Sequence, residues 1–165
     1  MKKIILSVAV LAVFFTGCKK KEDDPAPSTP SSKSKTELLT ANTWIQTGAT
    51  ASKSVDYDGD GNSSLDVFTQ MDACEKDDFI NFNNTNNTKS GTINEGANSC
   101  DADPNDVNAF TWALNSTESI LTLAASGFSV DMTLVEVTGT TLKLSYETED
   151  DNGLEYIQTD TYSKK

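Results

Sequence analysis

From residue 36 onward, apolar side chains recur at every second position. Phe110, Trp112 and Leu114 share one parity, with Thr111 and Ala113 between them. Phe128, Val130, Met132 and Leu134 alternate with Ser129, Asp131 and Thr133, and Leu142, Leu144 and Tyr146 alternate with Lys143, Ser145 and Glu147. A period of two sends successive side chains to opposite faces of an extended chain, so these runs predict half-buried antiparallel strands. The 21 threonines of the chain suit such faces. Turn-forming residues separate the runs at 83–91, 115–119, 138–140 and 150–153, and Asn152-Gly153 marks a tight hairpin.

The pattern predicts strands near 43–50, 66–71, 77–83, 89–95, 108–115, 119–125, 128–138, 140–148 and 154–163. Between 128 and 137 the parity switches, because Leu134, Val135 and Val137 do not hold one register; this predicts a bulge or a coiled bend. One short helix is expected over 36–41, with Thr36 as its cap. About eight hairpin-linked strands make the fold all-β, an antiparallel up-and-down barrel or a sandwich.

The chain before residue 36 has a different pattern. Lys2 and Lys3 precede a nearly unbroken apolar run at 4–15, and Phe15-Thr16-Gly17-Cys18 closes it. Such a run is too short to cross a hydrocarbon core of about 30 Å as a helix. It resembles a bacterial lipoprotein signal peptide, 1–17, whose cleavage leaves Cys18 to receive acyl chains such as diacylglycerol and palmitate. Two or more chains give stable membrane anchoring. Residues 18–35 then form the lipidated N-terminus and a tether, with three of the four prolines and no large apolar side chain. That composition cannot offset its ordering entropy by burial. Its reach is at most roughly 60 Å. The folded body is 36–165. Lys21-Glu22-Asp23-Asp24 resembles an export signal of surface lipoproteins, so display at the outer-membrane surface is expected, with the periplasmic face as the alternative.

Charge narrows the chemistry. The chain has 13 lysines, no arginine, no histidine and 25 acidic residues, for a net charge of −12. Histidine-based nucleophile activation, histidine-ligated metals and bidentate arginine clamps are thereby excluded. Nucleic acid, which requires a cationic surface, is not an expected partner. With Cys18 assigned to lipid, Cys74 and Cys100 remain as an even pair in an exported chain and read as a disulfide.

One stretch carries the pattern of a metal site. Asp56, Asp58 and Asp60 fall at the first, third and fifth positions of a loop with Gly61 at the sixth. A tight turn of this kind converges alternate oxygens on a hard cation such as Ca²⁺. The expected set is completed by Asn62 through its carbonyl, by Ser64 and by Asp66, and the role expected of the ion is structural. Val67 stands where an EF-hand places its bidentate glutamate, so this is not an EF-hand. An Asp-Gly turn solvated by water is the alternative.

Taken together, several features resemble the lipocalin-like lipoproteins of the Bacteroidetes: Leu38-Leu39-Thr40 followed by Trp44, the Asp58-Gly59-Asp60-Gly61 loop, the Cys74-Glu75-Lys76-Asp77-Asp78 run leading to Phe82, then Cys100 and Trp112. The resemblance implies a barrel of about eight strands, closed at one end by the short helix and open at the other. The expected function is a non-enzymatic, monomeric binding module for a small apolar or amphipathic ligand, with Phe110, Trp112 and Leu114 lining the cavity. The alternative is a structural or adhesive surface domain with a packed barrel and a calcium-stabilised loop.

Overall fold

A computed structural model describes residues 33–100, 107–150 and 152–165; Cys18 and residues 19–32 of the tether lie outside them. The order of elements is α1 (Lys35–Thr40), β1 (Thr43–Val55), β2 (Ser64–Asp66), α2 (Val67–Gln70), β3 (Phe79–Thr85), β4 (Thr88–Asn94), β5 (Val107–Leu114), β6 (Ile120–Ala125), β7 (Phe128–Val137), β8 (Thr141–Glu149) and β9 (Glu155–Lys164). Sequential neighbours from β3 to β9 pair antiparallel, β1 pairs with β3, and β1 also pairs with β9. Eight strands therefore close on themselves, which removes the exposed edges of an open sheet. β2 is a short addition to the far end of β1, where Thr50 faces Asp66 and Val55 faces Ser64.

Local chemistry explains where the elements differ from expectation. Ser34, not Thr36, caps α1. Its hydroxyl accepts from the Glu37 amide at 3.2 Å, and the Glu37 carboxylate accepts from the Ser34 amide at 2.7 Å. This Ser-x-x-Glu reciprocity satisfies two otherwise orphaned donors. The strand expected over 66–71 is instead β2 followed by a helical turn. Asp66 ends β2 and accepts from the Thr69 amide at 3.2 Å, so it caps α2. Val67 and Met71, four apart, then face one way onto Val55 and Tyr156.

β1 is longer than expected because it serves three partners. Its start pairs with β3, its far end with β2, and residues Trp44 to Ala51 with β9. A register shift between Gln46 and Gly48 changes which parity faces inward, so Trp44, Ala49, Ala51 and Val55 are all buried. The parity switch read in β7 is likewise an irregularity between Leu134 and Glu136, with Val135 turned out to solvent.

The interior divides into two parts. At the end closed by α1, Leu39 and Trp44 are fully buried, and the Trp44 indole donates to the Leu39 carbonyl at 2.9 Å. Around them pack Phe82, Phe110, Trp112, Leu121, Leu142 and Leu144. Phe82 meets both Phe110 and Trp112 edge-on, with centroids 5.7 and 5.6 Å apart. Gly91 makes room for this cluster, since a Cβ there would overlap the Phe110 ring and the Asn81 carbonyl. A smaller cluster of Ala49, Ala51, Val55, Val67 and Tyr156 lies toward the other end. The disulfide Cys74–Cys100 is formed and brackets the β3–β4 hairpin.

Candidate functional site

β9 directs an alternating row of side chains inward, and that row is polar. Tyr156, Gln158, Asp160 and Tyr162 are each buried, at 5–8% exposure. Buried polar groups persist only when hydrogen-bonded, and here each is. The Tyr156 hydroxyl donates to Gln158 Oε1 at 3.2 Å, and Gln158 Nε2 donates to the Tyr146 hydroxyl and to Asp160 Oδ1, both at 2.9 Å. Tyr146 donates to Asp160 Oδ2 at 3.0 Å and Tyr162 to the same oxygen at 3.4 Å. Asp160 thus sits under three neutral donors.

Above this ladder, at the end opposite α1, opens a cavity of about 550 Å³. Its inner wall is Tyr146, Tyr156 and Gln158, and its outer wall is Tyr57, Gln70 and Glu75. The acidic loop and α2 set that outer wall. Gln70 Oε1 accepts from the Tyr57 amide at 2.9 Å while its Nε2 donates to the Val55 carbonyl at 3.2 Å. The Tyr57 hydroxyl donates to Glu75 at 3.2 Å. Burial, with the Glu75 charge second, pushes the Tyr57 phenol up to about 12. Burial and the Asp160 charge likewise hold the Tyr146 phenol far above its ordinary value. Asp160 is raised by burial, an effect its three hydrogen bonds oppose. At ordinary pH the cavity therefore presents neutral phenols in a negative field.

The barrel wall also parts beside this cavity. Pairing of β7 with β8 ends at Thr133 and Ser145, so residues 128–132 pair with β6 and residues 146–149 pair with β9. A cleft of about 340 Å³ opens between them, and Tyr146 lines both the cleft and the cavity. A groove of about 510 Å³ bordered by Lys53, Glu147, Glu155 and Ile157 runs nearby. Glu147, Glu155 and Ile157 alternate with the inward row, so they belong to the outer face of the wall.

The acidic loop brings three of its expected ligands together. Asp56, Asp58 and Asp60 each offer a carboxylate oxygen, all within 4.8 Å of one another, a cluster that could hold a metal ion. The loop backbone shapes it: Asp56 accepts from the Gly61 amide at 3.0 Å, Asp58 from the Asp60 amide at 3.3 Å, and Asp60 from the Asn62 amide at 2.7 Å. Those bonds from Asn62 hold the Asp60 carboxyl below the usual range. Asp56 Oδ1 is buried without a partner. The Asn62 side chain turns back onto Asp60, Ser64 accepts from the Asp66 amide, and Asp66 caps α2.

Phe110 and Trp112 face inward as their parity required, but they stand in the packed half, at 6% and 4% exposure, with Leu114 packed alongside. The Trp112 indole donates to the Asn83 and Ser90 carbonyls at 3.1 and 3.0 Å, which fixes its ring within the wall of β3 and β4. The row the sequence reading missed was Tyr156-x-Gln158-x-Asp160-x-Tyr162. Its signal was polar residues at the inward parity of a strand, a costly arrangement that marks a built network.

A comparison with curated proteins returns no match. The protein-family model described as a lipocalin-like domain matches residues 40–144, which run from the end of α1 into β8. With its closed eight-stranded barrel, this chain belongs to the lipocalin-like domain family.

Proposed function

We propose that the chain is a lipid-anchored binding module. Acyl chains on Cys18 would hold it to the outer membrane, displayed at the cell surface, and the barrel would take a small molecule in the cavity at its open end as a non-enzymatic monomer. The observation that carries this reading is the cavity itself. A space of about 550 Å³ over a buried, fully hydrogen-bonded polar floor has the size and the convergent polar groups of a small-molecule site. The ligand's place shifts accordingly, from Phe110, Trp112 and Leu114 to Tyr146, Tyr156 and Gln158, and its expected character shifts from apolar to polar.

Calcium at Asp56, Asp58 and Asp60 belongs to the same proposal. Asp56 and Asp58 immediately flank Tyr57, so an ion there would rigidify one wall of the cavity. The orphaned Asp56 Oδ1 supports this reading, because a buried carboxylate oxygen without a donor favours a cation. The second reading, a packed structural or adhesive domain, draws its support from the solid half of the barrel.

Native mass spectra of the full chain, purified with its bound small molecules and recorded before and after chelation, separate the two. A retained organic mass supports the binding module. Bare protein, or protein that loses only calcium, supports the packed surface domain and overturns the binding module.

A further inference from the structure

The cavity lining is one-sided in charge. It contains five carboxylates, Asp58, Asp72, Glu75, Glu149 and Asp150, and no lysine among the described residues. The chain as a whole is acidic, so carboxylates on a rim could simply be solvated surface. Asp160 cannot be read that way. It is 5% exposed, lies beneath the floor, and is bonded only by the neutral groups of Tyr146, Gln158 and Tyr162. Among the described residues no lysine pairs with it; the ion pair that forms, Lys143–Glu136, is elsewhere on the surface. A buried carboxylate without a counter-charge is retained at a cost that a cation above it would offset.

We propose that the ligand of the open-end cavity is a small organic cation, its charge set among the carboxylates of the lining, with Asp160 behind the Tyr146 and Gln158 that line it, and its carbon surface against the tyrosine rings. The inference rests on the small-ligand reading above and names the class of that ligand. Tyr57, Tyr146 and Tyr156 supply three aromatic rings in one cavity, and aromatic faces attract alkylammonium groups where water is excluded. A bare metal ion would leave those rings without a role. An anion would be repelled by every charged group in the lining.

Matched probes test this. Choline and 3,3-dimethylbutan-1-ol share a shape and differ by one charge; putrescine, 1,4-butanediol and succinate share a four-carbon chain and carry opposite or no charge. Each is titrated into the full chain, with ring-labelled tyrosines followed by nuclear magnetic resonance. The expected result is that at least one cation shifts the Tyr57, Tyr146 and Tyr156 signals and binds at least tenfold more tightly than its uncharged counterpart. Added salt and Glu149→Gln should weaken it, and Asp160→Asn should weaken it further while circular dichroism shows the barrel intact. Equal or tighter binding of the neutral or anionic member in the same cavity overturns the cation inference and leaves the small-ligand reading standing. Silence of the tyrosines toward both cations also overturns it, and the small-ligand reading is then decided by the mass spectra.

Discussion

Tyr146 on β8 reaches diagonally across to Asp160 on β9, and its hydroxyl donates to the carboxylate at 3.0 Å. This bond marks the boundary between the two halves of the barrel. On one side of it lie Leu144 and Leu142 in the apolar core; on the other lie Gln158, Tyr156 and the cavity. Its energetics are tied to pH.

Unfolded, Asp160 titrates in the ordinary carboxylate range; folded, burial makes it hold its proton to higher pH. The folded chain binds the extra proton across that window, so this group's contribution is largest below the window and declines as pH rises through it. Asp160→Asn removes the titration and keeps the Gln158 contact. Relative to the parent, the variant should gain stability as pH is raised upward from the ordinary carboxylate range. Urea unfolding at several pH values measures this difference, and a pH-independent difference would show that burial does not raise the Asp160 carboxyl.

Gly91→Ala probes the packed half. The new methyl would collide with the Phe110 ring and the Asn81 backbone, and backbone cannot rotate away. A loss of about 1–3 kcal/mol is expected from such overpacking, read from the urea midpoint. A neutral result would mean that Phe110 has free space around it, as a cavity-lining residue would.

The Cys74–Cys100 bridge spans a separation of 26 residues. Closing a loop of that size removes unfolded-state entropy worth roughly 3–4 kcal/mol. The double variant Cys74→Ser, Cys100→Ser should lose about that much in urea under oxidising conditions, and reduction of the parent should reproduce the loss. Because the bridge anchors the segment bearing Glu75, the Tyr57–Glu75 bond should loosen as well.

Calcium is expected to raise the unfolding temperature of the full chain, with stabilisation of about 2.7 kcal/mol at a hundred times its dissociation constant. Asp58→Asn with Asp60→Asn should abolish the increase while leaving metal-free stability nearly unchanged, since both side chains are exposed. If the doubly substituted chain responds as the parent does, the ion is bound elsewhere.

Strand parity made the barrel legible, and the reasons it stopped short are local. Alternation in Phe110–Leu114 and Leu142–Tyr146 reports in against out, because each strand has one wet and one dry face. It does not report height along the barrel axis. The closed and open ends therefore looked alike, and Trp112 was read as lining when its partners were Phe82 and the β3–β4 carbonyls. Val67 to Gln70 forms a helical turn where the pattern predicts strand, because four residues are too few to separate a period of two from one of 3.6; the Asp66 cap decides it. Of the acidic loop, the Asp56, Asp58 and Asp60 convergence was legible in the spacing. The role of Asp66 as the cap of α2 was not, since a carboxylate at that spacing suits a helix cap as well as an ion.

On the reading proposed above, the wet half of this barrel, not the packed half, receives a small molecule. Ring-labelled tyrosine and tryptophan in the full chain report on the two halves separately when a soluble-metabolite extract is added and nuclear magnetic resonance spectra are compared with buffer alone. Shifts are expected at Tyr146 and Tyr156, with Trp44 and Trp112 unmoved. Shifts confined to Trp112, with the tyrosines silent, would contradict it and return the site to Phe110, Trp112 and Leu114.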